Sequence, residues 1–191
     1  MERSIIMAGF GGQGILFAGK VLARAAMNED REVLWIPSYG PEMRGGTASC
    51  TVIVGDEPIG SPVVDRVNAA VVLNPPSHAK FAPKVAPGGL LVVNETLVGG
   101  ASGRTDITEL RIPCTRLARD AGDDSLVSVV ALGALVGYLG LVRPTAIRNA
   151  IRETVGTKRL EVLDADLAAF DVGHRVGARS RPHHDRVAVP L

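Results

Sequence analysis

Six residues, Gly9-Phe10-Gly11-Gly12-Gln13-Gly14, stand between a short apolar run and a helical pattern, and their glycines satisfy the spacing G-x-G-x-x-G. Absent side chains permit a tight turn and let a ligand come close to backbone N–H groups, while the start of the following helix adds partial positive charge. Such a loop can cradle an anion, a phosphate above all. The same glycines also suit a strand–helix junction that binds nothing. A dinucleotide site further requires an Asp or Glu at the end of the second strand to hold a ribose, and here Val33-Leu34-Trp35-Ile36-Pro37 runs into Ser38. A bound NAD is disfavoured on that ground.

The next chemically equipped stretch is Ser38-Tyr39-Gly40-Pro41-Glu42-Met43-Arg44-Gly45-Gly46. It follows a strand at its carboxyl end, where open α/β sheets place their working surfaces. Tyr39, Glu42 and Arg44 bring an aromatic ring, a carboxylate and a guanidinium close together among glycines. A Glu–Arg pair that stiffens the loop and a surface that contacts a ligand or partner are both open readings. The candidate binding positions are therefore Gly11, Gly12, Gln13, Gly14, Ser38, Tyr39 and Arg44, as loops at a substrate entrance or an interface. No catalytic or metal-ligating residue is assigned.

These loops need elements to hold them. Ser4–Ala8 reads as a strand and Ile15–Asn28 as a helix. Glu32–Pro37 and Thr47–Val54 read as further strands, the second alternating apolar and polar side chains. Ala69–Leu73 and Leu90–Val93 are continuous apolar runs, as expected of strands covered on both faces. Pro75-Pro76 starts a short helix, and Glu109–Pro113 makes an edge strand, since Pro113 cannot donate to a ladder. Thr115–Ala121, Ser125–Leu141, Pro144–Val155 and Leu160–Phe170 are helical patterns. The expectation is a three-layer, Rossmann-like α/β domain with a mostly parallel sheet and C-terminal helices over residues 1–173. Residues 174–191 hold arginines and prolines without periodicity, and are expected to form an extended tail.

Composition excludes several functions. The net charge of +1 supplies no field for nucleic acid or a membrane surface, and aromatic residues, at 4%, are too few for base-stacking platforms. The longest apolar stretch, Leu126–Val142, is short for a span and broken by glycines, so it is expected to be a buried helix. The first residues lack the apolar core of a signal peptide. Cys50 and Cys114 are too few and too far apart for a self-contained iron–sulfur or zinc site, and fit free thiols in the cytoplasm.

Taken together, G-F-G-G-Q-G followed by S-Y-G-P-E-M-R-G-G-T resembles the gamma subunit family of 2-oxoacid:ferredoxin oxidoreductases. The resemblance continues through Pro58-Ile59-Gly60-Ser61-Pro62, Ala69–Leu73 and Ala131-Leu132-Gly133-Ala134, covering about residues 3 to 155. One departure is Leu126-Val127-Ser128-Val129, where the family usually shows an Asn-Met or Asn-Thr pair. The resemblance implies a subunit that carries no cofactor of its own. Thiamine diphosphate, Mg²⁺ and [4Fe-4S] clusters are then expected in alpha, beta and ferredoxin-like delta partners, with coenzyme A as co-substrate. A free-standing nucleotide-binding protein and a purely structural scaffold are the other readings.

Overall fold

The computed structural model describes residues 2–39, 46–156 and 160–182. Six strands form one sheet in the order β2-β3-β1-β4-β5-β6, comprising β1 (Arg3–Phe10), β2 (Glu32–Tyr39), β3 (Thr47–Gly55), β4 (Val67–Val72), β5 (Val85–Asn94) and β6 (Thr108–Ile112). The four strands β1, β4, β5 and β6 pair in parallel. β3 runs antiparallel to both of its neighbours, so β2 and β3 make a hairpin beside the parallel core. The sheet is mostly parallel, as the apolar runs predict, with one strand reversed. β2 pairs with β3 without a break through Pro37, opposite Cys50.

The helices are α1 (Ile15–Met27), α2 (Pro75–Phe81), α3 (Cys114–Asp120), α4 (Val127–Leu139), α5 (Pro144–Val155) and α6 (Leu160–Ser180). They divide unequally. One face of the sheet, with Ile5, Met7, Val52, Val71 and Val92, packs against α1, α3, α4, α5 and α6 in the larger core. The other face, with Ile6, Ala8, Val72 and Leu91, packs against Phe81 and Ala82 in a smaller one. The loop that covers this smaller face is fastened by two arginines. Arg104 donates to the carbonyls of Ala82 and Val85 and pairs with Asp106, while Arg111 donates to Val98, Gly100 and Glu109.

α4 is apolar all round and almost wholly buried, the signature of a core helix. No helix among the described residues is long and apolar enough to cross a membrane. Its main neighbour is α6, and here the expected boundary at Gly173 is corrected: helix continues to Ser180, replacing the extended tail over 174–180. Residues 183–191 lie outside the described residues. The physical reason is the spacing of four glycines. Gly133 and Gly137 on α4 face the α6 backbone, and Gly173 and Gly177 face the carbonyl oxygens of Val130 and Ala134. A methyl at any of the four would collide with main chain, so the glycines allow two helices to meet backbone to backbone. Gly173 and Gly177 read as helix breakers in isolation but are helix contacts in the fold.

Candidate functional site

β1 is followed by α1 on the larger-core face, whereas its neighbour β4 is followed by α2 on the opposite face. This divergence makes a topological switch point, the position at which open α/β sheets leave a crevice beyond their strand ends. The glycine loop occupies that position. The sheet ties its two sides together, because the Leu73 N–H donates to the Ala8 carbonyl at 2.9 Å.

Within the loop the backbone is committed in part to itself. Gln13 N–H donates to the Phe10 carbonyl at 3.2 Å, and the Gln13 side-chain oxygen accepts from Phe10 N–H at 2.7 Å. Gln13 is thus a brace that closes the turn. A β-carbon on Gly9 would lie 2.6 Å from that same oxygen, which explains the first glycine. Gly12 and Gly14 have φ of +93° and +75°, a region that favours residues without a side chain. At Gly12 nothing lies within 4 Å of an added β-carbon, whereas at Gly14 the Ser128 hydroxyl would be 2.6 Å away.

Gly11 N–H donates to the Gly46 carbonyl at 2.9 Å. This bond joins the glycine loop to the end of the β2–β3 connection, so the two segments that carry chemistry in the sequence meet at one edge of the molecule. It also means that Gly11 N–H is already engaged. Ser38 and Tyr39 end β2, and Tyr39 is 70% exposed. Glu42 and Arg44 lie outside the described residues.

Behind the loop a cleft of about 510 Å³ opens between the start of α1, the Gly122–Val129 segment and α6. Gly12, Gly14 and Phe17 form one wall, with Ser125, Ser128 and Asp123 opposite. Asp123 accepts the Ser125 N–H at 2.7 Å, and this bond holds its carboxyl below the usual range. The sequence names Ser128 only as a departure from a pattern, and no spacing rule predicts its meeting with Gly14. That contact spans more than a hundred residues and exists only because α4 packs beside α1.

Neither cysteine belongs to the site. The Cys50 Sγ donates to the Ile15 carbonyl, and burial pushes its pKa up to about 11 despite a hydrogen bond with Trp35. Burial pushes Cys114 up to about 12. Both are protonated thiols enclosed in the larger core. They fit neither an iron–sulfur cluster nor a zinc site, which need thiolates gathered at one point.

The family model described as pyruvate ferredoxin/flavodoxin oxidoreductase matches residues 4–176. The chain belongs to that family. Among curated members it is 38% identical to the ketoisovalerate oxidoreductase subunit VorA of Methanothermobacter thermautotrophicus, over 90% of this chain but only 36% of that relative. The chain thus spans about a third of the VorA relatives it matches. It is 35% identical to the 2-oxoglutarate synthase subunit KorC of Methanocaldococcus jannaschii, over 92% of this chain and 94% of that one. The family fold is shared by the gamma subunit of a keto/oxoacid ferredoxin oxidoreductase from Geobacter sulfurreducens, with a TM-score of 0.84 and 26% identity, covering 95% of this chain and 99% of that chain.

Proposed function

We propose that this chain is the gamma-type subunit of a multi-subunit 2-oxoacid:acceptor oxidoreductase, an enzyme that oxidatively decarboxylates a 2-oxoacid to an acyl-CoA and passes electrons to ferredoxin or another acceptor. It completes the enzyme without holding its redox centre. Thiamine diphosphate, Mg²⁺ and [4Fe-4S] clusters belong to alpha, beta and delta-type partner subunits of a cytoplasmic complex. Two buried, protonated cysteines on separate elements support that division of labour.

The observation that carries the reading is the Gly11–Gly46 hydrogen bond. It joins the two segments by which the chain resembles gamma subunits, at the switch point of the sheet. A loop pair in that position is suited to shape the coenzyme A entrance or the junction between partners. Gly12, Gly14, Tyr39 and Arg44 are the residues through which it would do so, while Gln13 serves by holding the turn.

The test uses the assembled enzyme. The chain should co-purify with larger, iron-containing subunits from its native source. Gly12→Val closes off close approach to the backbone, and Arg44→Ala removes a charge. Both should raise KM for coenzyme A more than KM for the 2-oxoacid. Variants that assemble normally with unchanged coenzyme A kinetics would show that the loops serve packing alone.

A further inference from the structure

We propose that the outer edge built by α1 and β2 is a docking surface for a different subunit of the same enzyme. That subunit would present apolar side chains with carboxylates beside them. This rests on the reading of the chain as a gamma-type subunit, and extends it from the loops to a whole edge of the fold.

The first observation is where the exposed apolar side chains gather. Among the described residues five large hydrophobics are exposed, and three of them, Met27 at 54%, Trp35 at 37% and Tyr39 at 70%, lie on α1 and β2. Trp35 pairs in register with Val52 of the larger core, so its side chain stands on the face that α1 covers. Tyr39, four residues on, points the same way. A β-carbon on Gly19 would lie 3.1 Å from the indole Nε1, which sets α1 alongside the ring. Leu16, Lys20 and Met27 follow one another at i, i+4 and i+11, on one side of that helix. Leu16 is half-buried, and the other two are exposed. The result is an apolar strip along the edge strand, from Tyr39 beside the candidate site to Met27. Tyrosine, tryptophan and methionine are enriched where proteins meet. Trp35 is held ready by its hydrogen bond with Cys50, so little freedom is lost on contact.

The second observation is charge, and it selects the occupant. Lys20 is exposed midway along the strip, and Arg24, one turn further, reaches Glu153 at 3.7 Å. The 13 residues of α1 include neither Asp nor Glu. Glu32, the acidic residue of β2, is three positions from Trp35 and so stands on the opposite face. Two copies of this chain pairing strip to strip about a twofold axis would set Lys20 and Arg24 against their own images. Like charges so placed oppose association, whereas carboxylates on another chain favour it. The occupant is therefore a chain of different sequence, and for a gamma-type subunit that is one of the larger subunits.

Parent and variant full chains, carrying different tags, are co-expressed at equal levels in the native source. The ratio in which they co-purify with the larger, iron-containing subunits reads their relative affinity. Met27→Glu and Lys20→Glu should each lose to the parent roughly tenfold or more, a lost contact combined with charge repulsion. Met27→Leu and Lys20→Arg should compete evenly, because they keep the apolar side chain and the charge. Val63→Glu, at an exposed hydrophobic residue away from the strip, should also compete evenly. The isolated chains should share one Tm and sediment as monomers. Even competition by Met27→Glu and Lys20→Glu would overturn the proposal. So would an equal loss in Val63→Glu, or losses that track a fall in the Tm of the isolated variants. A dimer of the parent chain that Met27→Glu abolishes would make a second copy the occupant, and would overturn it too. If the parent brings down no larger subunit at all, the gamma-type reading itself fails, a result distinct from failure of the strip alone.

Discussion

Glycine has opposite uses at Gly12 of the glycine loop and in the α4–α6 crossing. In the crossing, Gly133, Gly137, Gly173 and Gly177 have ordinary helical backbones, and what they lack is volume: a methyl at each would strike the main chain of the other helix. In the loop, Gly12 has empty space where a β-carbon would go, and what it supplies is a backbone angle of +93°. One set removes matter so that two helices can touch. The other bends the chain through a tight turn between β1 and α1. The first belongs to stability and the second to the candidate site.

That contrast can be broken most forcefully at Gly173. Gly173→Ala places a methyl into the Val130 carbonyl, and relief requires the two helices to separate along their length. The expected loss is about 3 kcal/mol or more in denaturant unfolding, at the upper end of overpacking costs. A loss below 1 kcal/mol would mean that the helices slide apart freely and that the glycines are incidental.

A smaller effect is expected at Gly12. Gly12→Ala meets no atom but forces a side chain into a left-handed conformation, costing about 1 kcal/mol. Gly12→Asn should cost less, because asparagine tolerates that region. Equal losses for the two variants in the same unfolding assay would show that space, not backbone angle, decides this position.

The smallest effect concerns a region held by charge, neither by glycine nor by close packing. Burial alone would raise Glu109, but the Ser102 backbone and hydroxyl and the Arg111 guanidinium more than offset it and hold the carboxyl below its ordinary value. The folded value being depressed, the stabilisation is complete above the ordinary carboxylate range and is lost as pH falls through the folded value. Glu109→Gln should therefore lower stability slightly at neutral pH, where the contribution is present in full, and flatten part of the acid limb, the two curves converging as pH falls through the folded value. An acid limb identical to that of the parent chain would show that the pair holds nothing.

Much of this was legible in the sequence because it is local. The strand runs Ala69–Leu73 and Leu90–Val93, the proline-started helices and the glycine loop are all specified by neighbours within a few residues. The reversal of β3 was not legible, since its alternating pattern suits either direction and only pairing decides it. The last turns of α6 were missed for a related reason. Glycine weakens a helix in isolation, and the compensation at Gly173 and Gly177 comes from α4, some forty residues away in sequence. The site divides the same way: the brace by Gln13 is a three-residue matter, whereas Ser128 reaches Gly14 only through tertiary packing.

Pro37 has a consequence for crowded solution. β2 is the last strand on its side of the sheet, and an eight-residue edge strand is a template on which another chain can polymerise. Since pairing with β3 passes through Pro37 unbroken, the N–H that proline lacks is one that an incoming strand would have used. A newly made copy thus presents an interrupted row of donors to its siblings, and sheet growth from chain to chain is checked by a single imino acid.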